Sequence, residues 1–226
     1  MCGFSCGRVG NCYDDDMTAL DQFETSFAEC PLIAILRGVR PDEVEAIGDA
    51  LVEGGVRIIE VPLNSPDPLD SIARLSARFE GRALIGAGTV LSVGQVDSVR
   101  VAGGRLIVSP STNPHVIAAT VAAGMVSCPG YFTPSEAFAA LDAGAHALKL
   151  FPAEAASPAV VRAQRAVLPK DLRLIVVGGI GPDAMVPWFA AGADGFGLGS
   201  GLYRPGQLPA ETLGNTRNYQ AALASR

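Results

Sequence analysis

Two lysines, Lys149 and Lys170, are the only side-chain amines in this chain of 226 residues, because its other fifteen basic residues are arginines. Arginine stays protonated under working conditions and cannot act as a neutral nucleophile. Lys149 lies in the apolar segment ALKLF, where the alternation of a strand puts it on one face with Ala147 and Phe151. We expect that face to point inward, where loss of hydration favours the neutral amine and makes Lys149 a candidate Schiff-base nucleophile. Lys170 is expected in an exposed loop.

Glu60 is the acidic counterpart of this lysine. It lies in the segment RIIEVPL, on the same face as Ile58. Across an eight-stranded interior Glu60 and Lys149 can approach each other directly or through one water. A carboxyl group in such apolar surroundings has a raised pKa, which suits proton transfer near neutrality. The alternative is a structural role, in which Lys149 reaches the surface or forms an ion pair with Glu60.

Two further polar residues are predicted at the mouth of the same interior. Arg37 ends the segment IAILR on the face of Ile35, and the same alternation places Thr89 on the face of Ile85 and Ala87. A guanidinium and a hydroxyl group at the mouth can hold a carboxylate or a phosphate. The alternatives are a rim arginine and an ordinary strand threonine.

Small residues follow the last two predicted strands. Gly178 and Gly179 come after the seventh strand, and Gly199 and Ser200 come after the eighth. In barrels of alternating strands and helices, these two loops commonly bind phosphate through exposed backbone N–H groups. Because glycines also serve tight turns, each pair alone is a weak signal. Their occurrence in both loops favours a phosphate site.

Metal chemistry is not expected. The chain has only two histidines, His115 at the start of a predicted helix and His146 before a predicted strand. Catalytic zinc usually takes three protein ligands, which two histidines on separate elements do not supply. We therefore predict no metal and no organic cofactor.

The first sixteen residues are predicted to be a disordered tail, with Met17 as an alternative natural start. They include Cys2, Cys6 and Cys12, which lack the paired spacing of zinc sites. The segment has no apolar run long enough for a secretory signal, so we expect a reduced, cytoplasmic protein.

The elements that position these residues are short apolar runs alternating with helix-like segments. Continuous apolar character is typical of strands covered on both faces, as in a parallel sheet. Eight such units predict one (β/α)₈ barrel over residues 17–226, with its active site at the carboxyl ends of the strands. The eight runs are 31–39, 57–64, 83–90, 105–111, 125–132, 146–152, 173–180 and 195–200.

Composition and charge exclude several classes of protein. Only 18% of the residues are charged and the net charge is −6, which argues against nucleic-acid binding. A hydrophobic content of 49% argues against a disordered chain. The longest apolar stretch, residues 116–132, is interrupted by Gly124 and Pro129 and predicts a helix followed by a strand, not a membrane span.

Several of these segments together resemble the 2-keto-3-deoxy-6-phosphogluconate (KDPG) aldolase family. The resemblance extends from about residue 30 to residue 205 and implies a homotrimeric (β/α)₈ barrel that cleaves a phosphorylated keto sugar acid through a Schiff base, without metal. The segments are IAILRGV (33–39), IEVPLNSP (59–66), LIGAGTV (84–90), LIVSPSTNP (106–114), CPGYFTPSEA (128–137), ALKLFPAE (147–154), VVGGI (176–180) and GLGSGLY (197–203).

The resemblance also implies a role for each candidate residue. Lys149 matches the Schiff-base lysine and Glu60 the proton-shuttling carboxylate. Arg37 and Thr89 match positions that contact the sugar acid. The phosphate site is matched by Gly178, Gly179, Gly199 and Ser200.

One departure within the family bears on the substrate. The gluconate enzymes tend to carry Thr-Leu-Arg-Thr after the catalytic glutamate, whereas this chain reads Pro-Leu-Asn-Ser at 62–65. That sequence, together with Arg37, resembles the galactonate branch, whose substrate is the C4 epimer. We expect preference for the galactonate epimer, with gluconate or dual-epimer activity as the alternative. A phosphate-binding barrel isomerase or epimerase and a non-catalytic sugar-phosphate binder are remoter alternatives.

Overall fold

The computed structural model describes residues 17–225, so the predicted tail with Cys2, Cys6 and Cys12 lies outside the described residues. Strands and helices alternate along the described chain. The strands are β1 (Leu32–Ile35), β2 (Ile58–Pro62), β3 (Leu84–Gly88), β4 (Leu106–Val108), β5 (Val126–Cys128), β6 (Gly130–Tyr131), β7 (Ala147–Leu150), β8 (Arg173–Val177) and β9 (Gly195–Leu198). The α-helices are α1 (Ala19–Glu29), α2 (Val44–Glu53), α3 (Pro68–Arg78), α4 (Val93–Val101), α5 (Pro114–Ala122), α6 (Pro134–Asp142), α7 (Pro158–Arg165), α8 (Met185–Ala191) and α9 (Pro209–Ala224).

These strands form one parallel sheet that curls into a barrel, which confirms the predicted fold class. The hydrogen-bonded order is β5-β4-β3-β2-β1-β9-β8-β7-β6. The two ends of this order, β5 and β6, are consecutive in the chain and are separated only by Pro129. The carbonyl of Pro129 accepts from the Lys149 N–H, so the bent segment also bonds to β7 and completes the ring.

The predicted fifth strand, residues 125–132, is therefore wrong as a single element. Pro129 has no N–H to donate to a ladder, so it divides the segment into β5 and β6. Each part keeps one neighbour, β4 for β5 and β7 for β6. The barrel positions still number eight, because the two parts share one.

Alternate side chains of each strand pack into two separate apolar layers. Ile33, Ile58 and Ala147 belong to the layer inside the barrel. Their neighbours in sequence, such as Ile59 and Leu148, belong to the layer between sheet and helices. The alternation predicted for the strands of Glu60 and Lys149 is confirmed.

Helix α1 precedes the barrel and closes its amino-terminal end, an element that the sequence analysis did not predict. It begins with a capping box, in which Thr18 and Asp21 satisfy each other's backbone N–H groups. Phe23 and Phe27, one turn apart, stack at 5.5 Å between ring centroids and belong to the inner apolar layer. An ion pair from Arg173 to Glu24 fixes the helix to the sheet.

Among residues 17–225, no helix combines the length and the apolar character needed to cross a membrane.

Shortening the buried side chain of Phe23 on α1 is expected to destabilise the barrel. Phe23 is fully buried, so Phe23→Ala leaves a cavity and should reduce the free energy of unfolding by about 3–5 kcal/mol. Chemical denaturation at fixed protein concentration measures this loss. Phe138→Ala, which removes a ring that is 42% exposed, is the control and should cost far less. Equal losses in the two variants would show that α1 is not part of the cooperative core.

Candidate active site

Lys149 and Glu60 both point into the barrel. Lys149 on β7 is 6% exposed and Glu60 on β2 is 1% exposed. Each follows an inward apolar residue two positions earlier, Ala147 and Ile58 respectively. The pattern of the sequence thus places an amine and a carboxyl group inside one apolar chamber.

Burial dominates the acidity of Glu60. Loss of hydration raises the pKa of this carboxyl group to about 7, against the smaller opposing effects of the nearby Lys149 and Arg37 charges. Its Oε2 atom is buried and has no hydrogen-bond partner among the described residues. A carboxyl group that titrates near neutrality with an uncommitted oxygen is suited to accept and return a proton.

Burial also dominates the acidity of Lys149. Desolvation lowers the pKa of its ammonium group, while Glu60 and Cys128 oppose that shift and Arg37 adds to it. The Nζ atom lies 4.8 Å from the centroid of the Phe151 ring, so an aromatic face adjoins the nitrogen. The result is an amine that is neutral more readily than an exposed lysine.

The two groups influence each other's pKa without an ion pair. Within the described chain, the ion pairs closer than 4.0 Å all involve arginine and none joins Lys149 to Glu60. The structural ion pair considered as an alternative is therefore not formed. The two side chains are therefore coupled electrostatically but not in direct contact as an ion pair.

Gly88 makes room for the carboxyl group of Glu60. A Cβ atom at Gly88 would lie 2.0 Å from Oε2 and 2.4 Å from Oε1 of Glu60. The sequence analysis did not single out this glycine. Its signal was the inward position at the end of β3, where a side chain would otherwise occupy the chamber.

A cavity of about 360 Å³ opens at the carboxyl ends of β1, β7, β8 and β9. It brings together five of the eight predicted site residues: Arg37, Gly178, Gly179, Gly199 and Ser200. Phe151, whose ring adjoins Lys149, also lines this cavity and connects it to the buried chamber.

Glycine is required at 178 and 179 by both conformation and space. Their φ angles are +129° and +63°, in the range that side chains rarely adopt. A Cβ atom at Gly178 would lie 2.0 Å from Oε2 of Glu154. This pair leaves bare backbone facing the cavity.

Tyr219 of α9 connects the two glycine-containing loops, and no local pattern around it predicted this role. Its hydroxyl group donates to the carbonyl of Ile180 at 2.9 Å. The same hydroxyl occupies the space that a Cβ atom at Gly201 would need, at 2.2 Å. The loops after β8 and β9 are thereby held against one buried side chain.

Arg37 and the sequence Asn64-Ser65 form one unit. The Arg37 guanidinium donates to Oδ1 of Asn64 at 2.8 Å, and the Gly38 N–H donates to the Ser65 hydroxyl at 2.9 Å. The loops after β1 and β2 are thus joined at the mouth of the cavity. The two features that resemble the galactonate branch, Arg37 and the sequence at 62–65, are in physical contact.

The reasoning that oriented Thr89 is wrong. Ile85 and Ala87 pack in the layer toward the helices, so alternation would turn residue 89 outward. Thr89 instead follows the end of β3 and has a φ of +58°, a strained value for a β-branched residue. It is not part of the described cavity lining, and its contact with substrate stays a prediction.

No group of three or more His, Cys, Asp or Glu side chains within residues 17–225 is arranged to hold a metal ion. His146 instead accepts a hydrogen bond from the Ser127 N–H at Nδ1.

Comparison with known proteins shows which family this chain resembles in sequence and structure. Residues 23–215 match the family described as "Aldolase: KDPG and KHG aldolase". A protein of Rhizobium meliloti (strain 1021) named "Probable 2-dehydro-3-deoxy-6-phosphogalactonate aldolase" is 49% identical over 187 residues, 83% of this chain and 88% of its own length. An Escherichia coli (strain K12) protein named "2-dehydro-3-deoxy-6-phosphogalactonate aldolase" is 49% identical over 177 residues, 78% of this chain and 86% of its own length. A solved structure described as "Native KDPGal structure" has a TM-score of 0.86 and 45% identity, covering 87% of this chain and 96% of that chain.

This family match places the chain among the class I aldolases, carbon–carbon lyases that work through a lysine Schiff base, and the buried lysine of the barrel fits that class. The chain belongs to the KDPG and KHG aldolase family. The isomerase and the non-catalytic binder are therefore set aside.

Filling the space at Gly88 is expected to impair aldol cleavage. Gly88→Ala would displace the Glu60 carboxyl group, which should reduce kcat by about 10²-fold if that group transfers protons. Steady-state assay of pyruvate release measures the effect. Gly94→Ala is the matched control, because a Cβ atom there meets nothing within 4 Å. Unchanged kcat in Gly88→Ala would mean that the position of Glu60 does not govern the rate.

Proposed function

We propose that this aldolase cleaves 2-dehydro-3-deoxy-6-phospho-D-galactonate to pyruvate and D-glyceraldehyde 3-phosphate, with Lys149 as the nucleophile and Glu60 as the proton carrier. The proposal rests on one observation: Lys149 and Glu60 are both buried inside the barrel, and no ion pair joins them. Desolvation lowers the pKa of Lys149, which favours its neutral, nucleophilic form, and raises that of Glu60 to about 7, which lets the carboxyl group exchange a proton near neutral pH.

The first half of the reaction forms the covalent intermediate. The neutral Nζ of Lys149 attacks C2 of the keto acid, and the resulting carbinolamine loses its hydroxyl group as water with a proton from Glu60. The product is an iminium ion. The Phe151 ring adjoining Nζ favours this cation, because an aromatic face attracts positive charge.

The second half breaks the carbon–carbon bond. Glu60, now a carboxylate, takes the C4 hydroxyl proton, directly or through water. The electrons of the C3–C4 bond move toward the iminium nitrogen and leave an enamine, and glyceraldehyde 3-phosphate departs. Protonation at C3 restores the iminium ion, and water then releases pyruvate and regenerates the amine of Lys149.

The rim of the cavity supports recognition of the two anionic ends of the substrate. Arg37, held by Asn64 near the chamber, is assigned to the sugar acid. The bare backbone at Gly178 and Gly179, together with Gly199 and Ser200 in the neighbouring loop, is assigned to the phosphate. Thr89 is retained as a substrate contact.

The galactonate epimer is supported by the Arg37–Asn64 unit and by the names of the two relatives that are 49% identical. The two epimers differ only at C4 and give identical products. Discrimination therefore depends on how the C4 hydroxyl group is held, and one hydrogen bond there is worth about 1–3 kcal/mol.

We further propose a homotrimer. Leu69, Leu91 and Val93 are exposed apolar side chains at 38%, 53% and 44%, on the segments that follow β2 and β3. Such a group favours burial against another subunit. Sedimentation should give three times the 23.3 kDa mass of the chain. The cytoplasmic location stays a prediction.

Trapping with pyruvate tests the nucleophile. Borohydride should reduce the imine and add one pyruvate-derived group to Lys149, which peptide mass spectrometry locates. Lys170→Ala should label fully, since Lys170 is exposed and is not part of the cavity lining. Lys149→Ala should lose both labelling and cleavage. Cleavage that survives in Lys149→Ala would refute the mechanism.

The pH profile tests Glu60. Because its pKa is about 7, lowering the pH through neutrality protonates the carboxylate and removes the base for the C4 hydroxyl group. We expect kcat/KM of the natural protein to fall on the acid side of about pH 7. In Glu60→Gln, the maximal kcat/KM should be lower by about 10²-fold or more, and the fall on the acid side should be absent. If kcat/KM of Glu60→Gln falls on the acid side in the same way, another group is responsible for that fall.

The ratio of kcat/KM for the two C4 epimers tests the substrate. We expect a preference of about 10- to 100-fold for the galactonate epimer, the range that one hydrogen bond supports. Asn64→Ala should reduce this ratio by releasing Arg37, whereas Asn215→Ala, on α9, should leave it unchanged. A ratio that favours the gluconate epimer would overturn the assignment.

A further inference from the structure

Three charged side chains line the cavity at the carboxyl end of the barrel: Arg37, Glu154 and Arg204. Arg37 belongs to the chamber end, since it donates to Asn64 and its charge affects the pKa values of Glu60 and Lys149. Glu154 lies against Gly178 and Gly179. Arg204 lies beside Ser200, in the loop that follows β9.

Arg204 is anchored but not neutralised. Its Nε donates to the carbonyl of Ser200 at 3.2 Å. In the part of the chain that the structure describes, it takes part in no ion pair, although most other arginines there do, including Arg40, Arg74 and Arg78. Glu154 lines the same cavity, yet the two do not pair. The terminal guanidinium nitrogens of Arg204 therefore remain available to an anion.

The proposed phosphate site needs a cation of this kind. A phosphate monoester carries about 1.5–2 negative charges at pH 7. The four residues assigned to it, Gly178, Gly179, Gly199 and Ser200, offer only neutral donors. Glu154 beside the glycines adds negative charge, and Arg37 is engaged at the other end of the substrate.

We propose that Arg204 is a phosphate-binding residue, whose terminal guanidinium nitrogens contact the phosphate while its Nε stays on the Ser200 carbonyl. This inference rests on the proposed function for the identity of the substrate. The ligand chemistry is that of a phosphate monoester. A planar guanidinium with two free nitrogens can bind two phosphate oxygens at once, which a lysine cannot do.

The test compares Arg204→Gln and Arg204→Lys with Arg217→Gln. Arg217 is a suitable control because it is on α9, 65% exposed at its side chain, and paired with Glu53 away from the cavity lining. Its replacement removes the same charge from the protein. Three measurements apply: KM and kcat for the phosphorylated keto acid, calorimetric binding of inorganic phosphate, and the rate of borohydride trapping with pyruvate, which carries no phosphate.

In Arg204→Gln we expect KM for the phosphorylated substrate and Kd for inorganic phosphate both to rise by about 10- to 100-fold, as for loss of a charged hydrogen-bonded contact. Pyruvate trapping and kcat should change by less than about 2-fold, because the chamber is intact. Arg204→Lys should give an intermediate Kd. Arg217→Gln should behave as the natural protein, and phosphate affinity should depend less on salt in Arg204→Gln.

Two results overturn the proposal: an Arg204→Gln variant that binds phosphate as tightly as Arg217→Gln, or one in which pyruvate trapping falls in parallel with phosphate binding. Phosphate binding does not depend on turnover. A natural protein that binds phosphate but neither traps pyruvate nor cleaves the keto acid would therefore count against the proposed function, while loss of that binding in Arg204→Gln would still support Arg204.

Discussion

Desolvation of two ionisable groups inside an apolar barrel is the constraint on which the rest of this structure depends. Burial favours the uncharged forms of both Lys149 and Glu60, and neither has the ion pair that would restore the charged forms. Imine chemistry requires an amine that becomes neutral more readily than an exposed lysine and a carboxyl group that can both accept and return a proton, and burial favours both. In water the same two side chains would be fixed as ammonium and carboxylate.

Helix α1 closes this chamber at the amino-terminal end of the barrel, and a cavity opens at the carboxyl end. At the amino-terminal end, Phe23 and Phe27 of α1 fill the interior. At the level of Glu60, the absence of a side chain at Gly88 provides the space for the carboxyl group. Beyond Phe151, the cavity becomes polar and its donors are backbone groups and arginines. Bond making is thus confined to the apolar interior, and recognition of anions to the hydrated rim, where charged groups cost little to maintain.

The rim depends on contacts between loops that are distant in sequence. Asn64 holds Arg37 across the loops after β2 and β1, and Tyr219 of α9 holds the loops after β8 and β9. Each of these contacts holds loop segments that lie outside the hydrogen-bonded strands. Substrate preference and phosphate affinity are accordingly properties of side chains outside the barrel strands, whereas the chemistry is a property of two residues within them.

The sequence was sufficient to predict the barrel, the strand positions of Lys149 and Glu60, and their inward orientation, because alternation along a strand is local. It also placed glycines in the two loops that follow the last strands. Only the tertiary structure decided that α1 closes the barrel, that Pro129 divides one strand, and that Thr89 leaves the alternation at a positive φ. It alone showed Gly88 against Glu60, Asn64 on Arg37, and Arg204 beside Ser200. The reason is physical: periodicity reports which side of its own strand a residue faces, while the space around a carboxyl group and the partner of a guanidinium depend on residues brought together from distant parts of the chain.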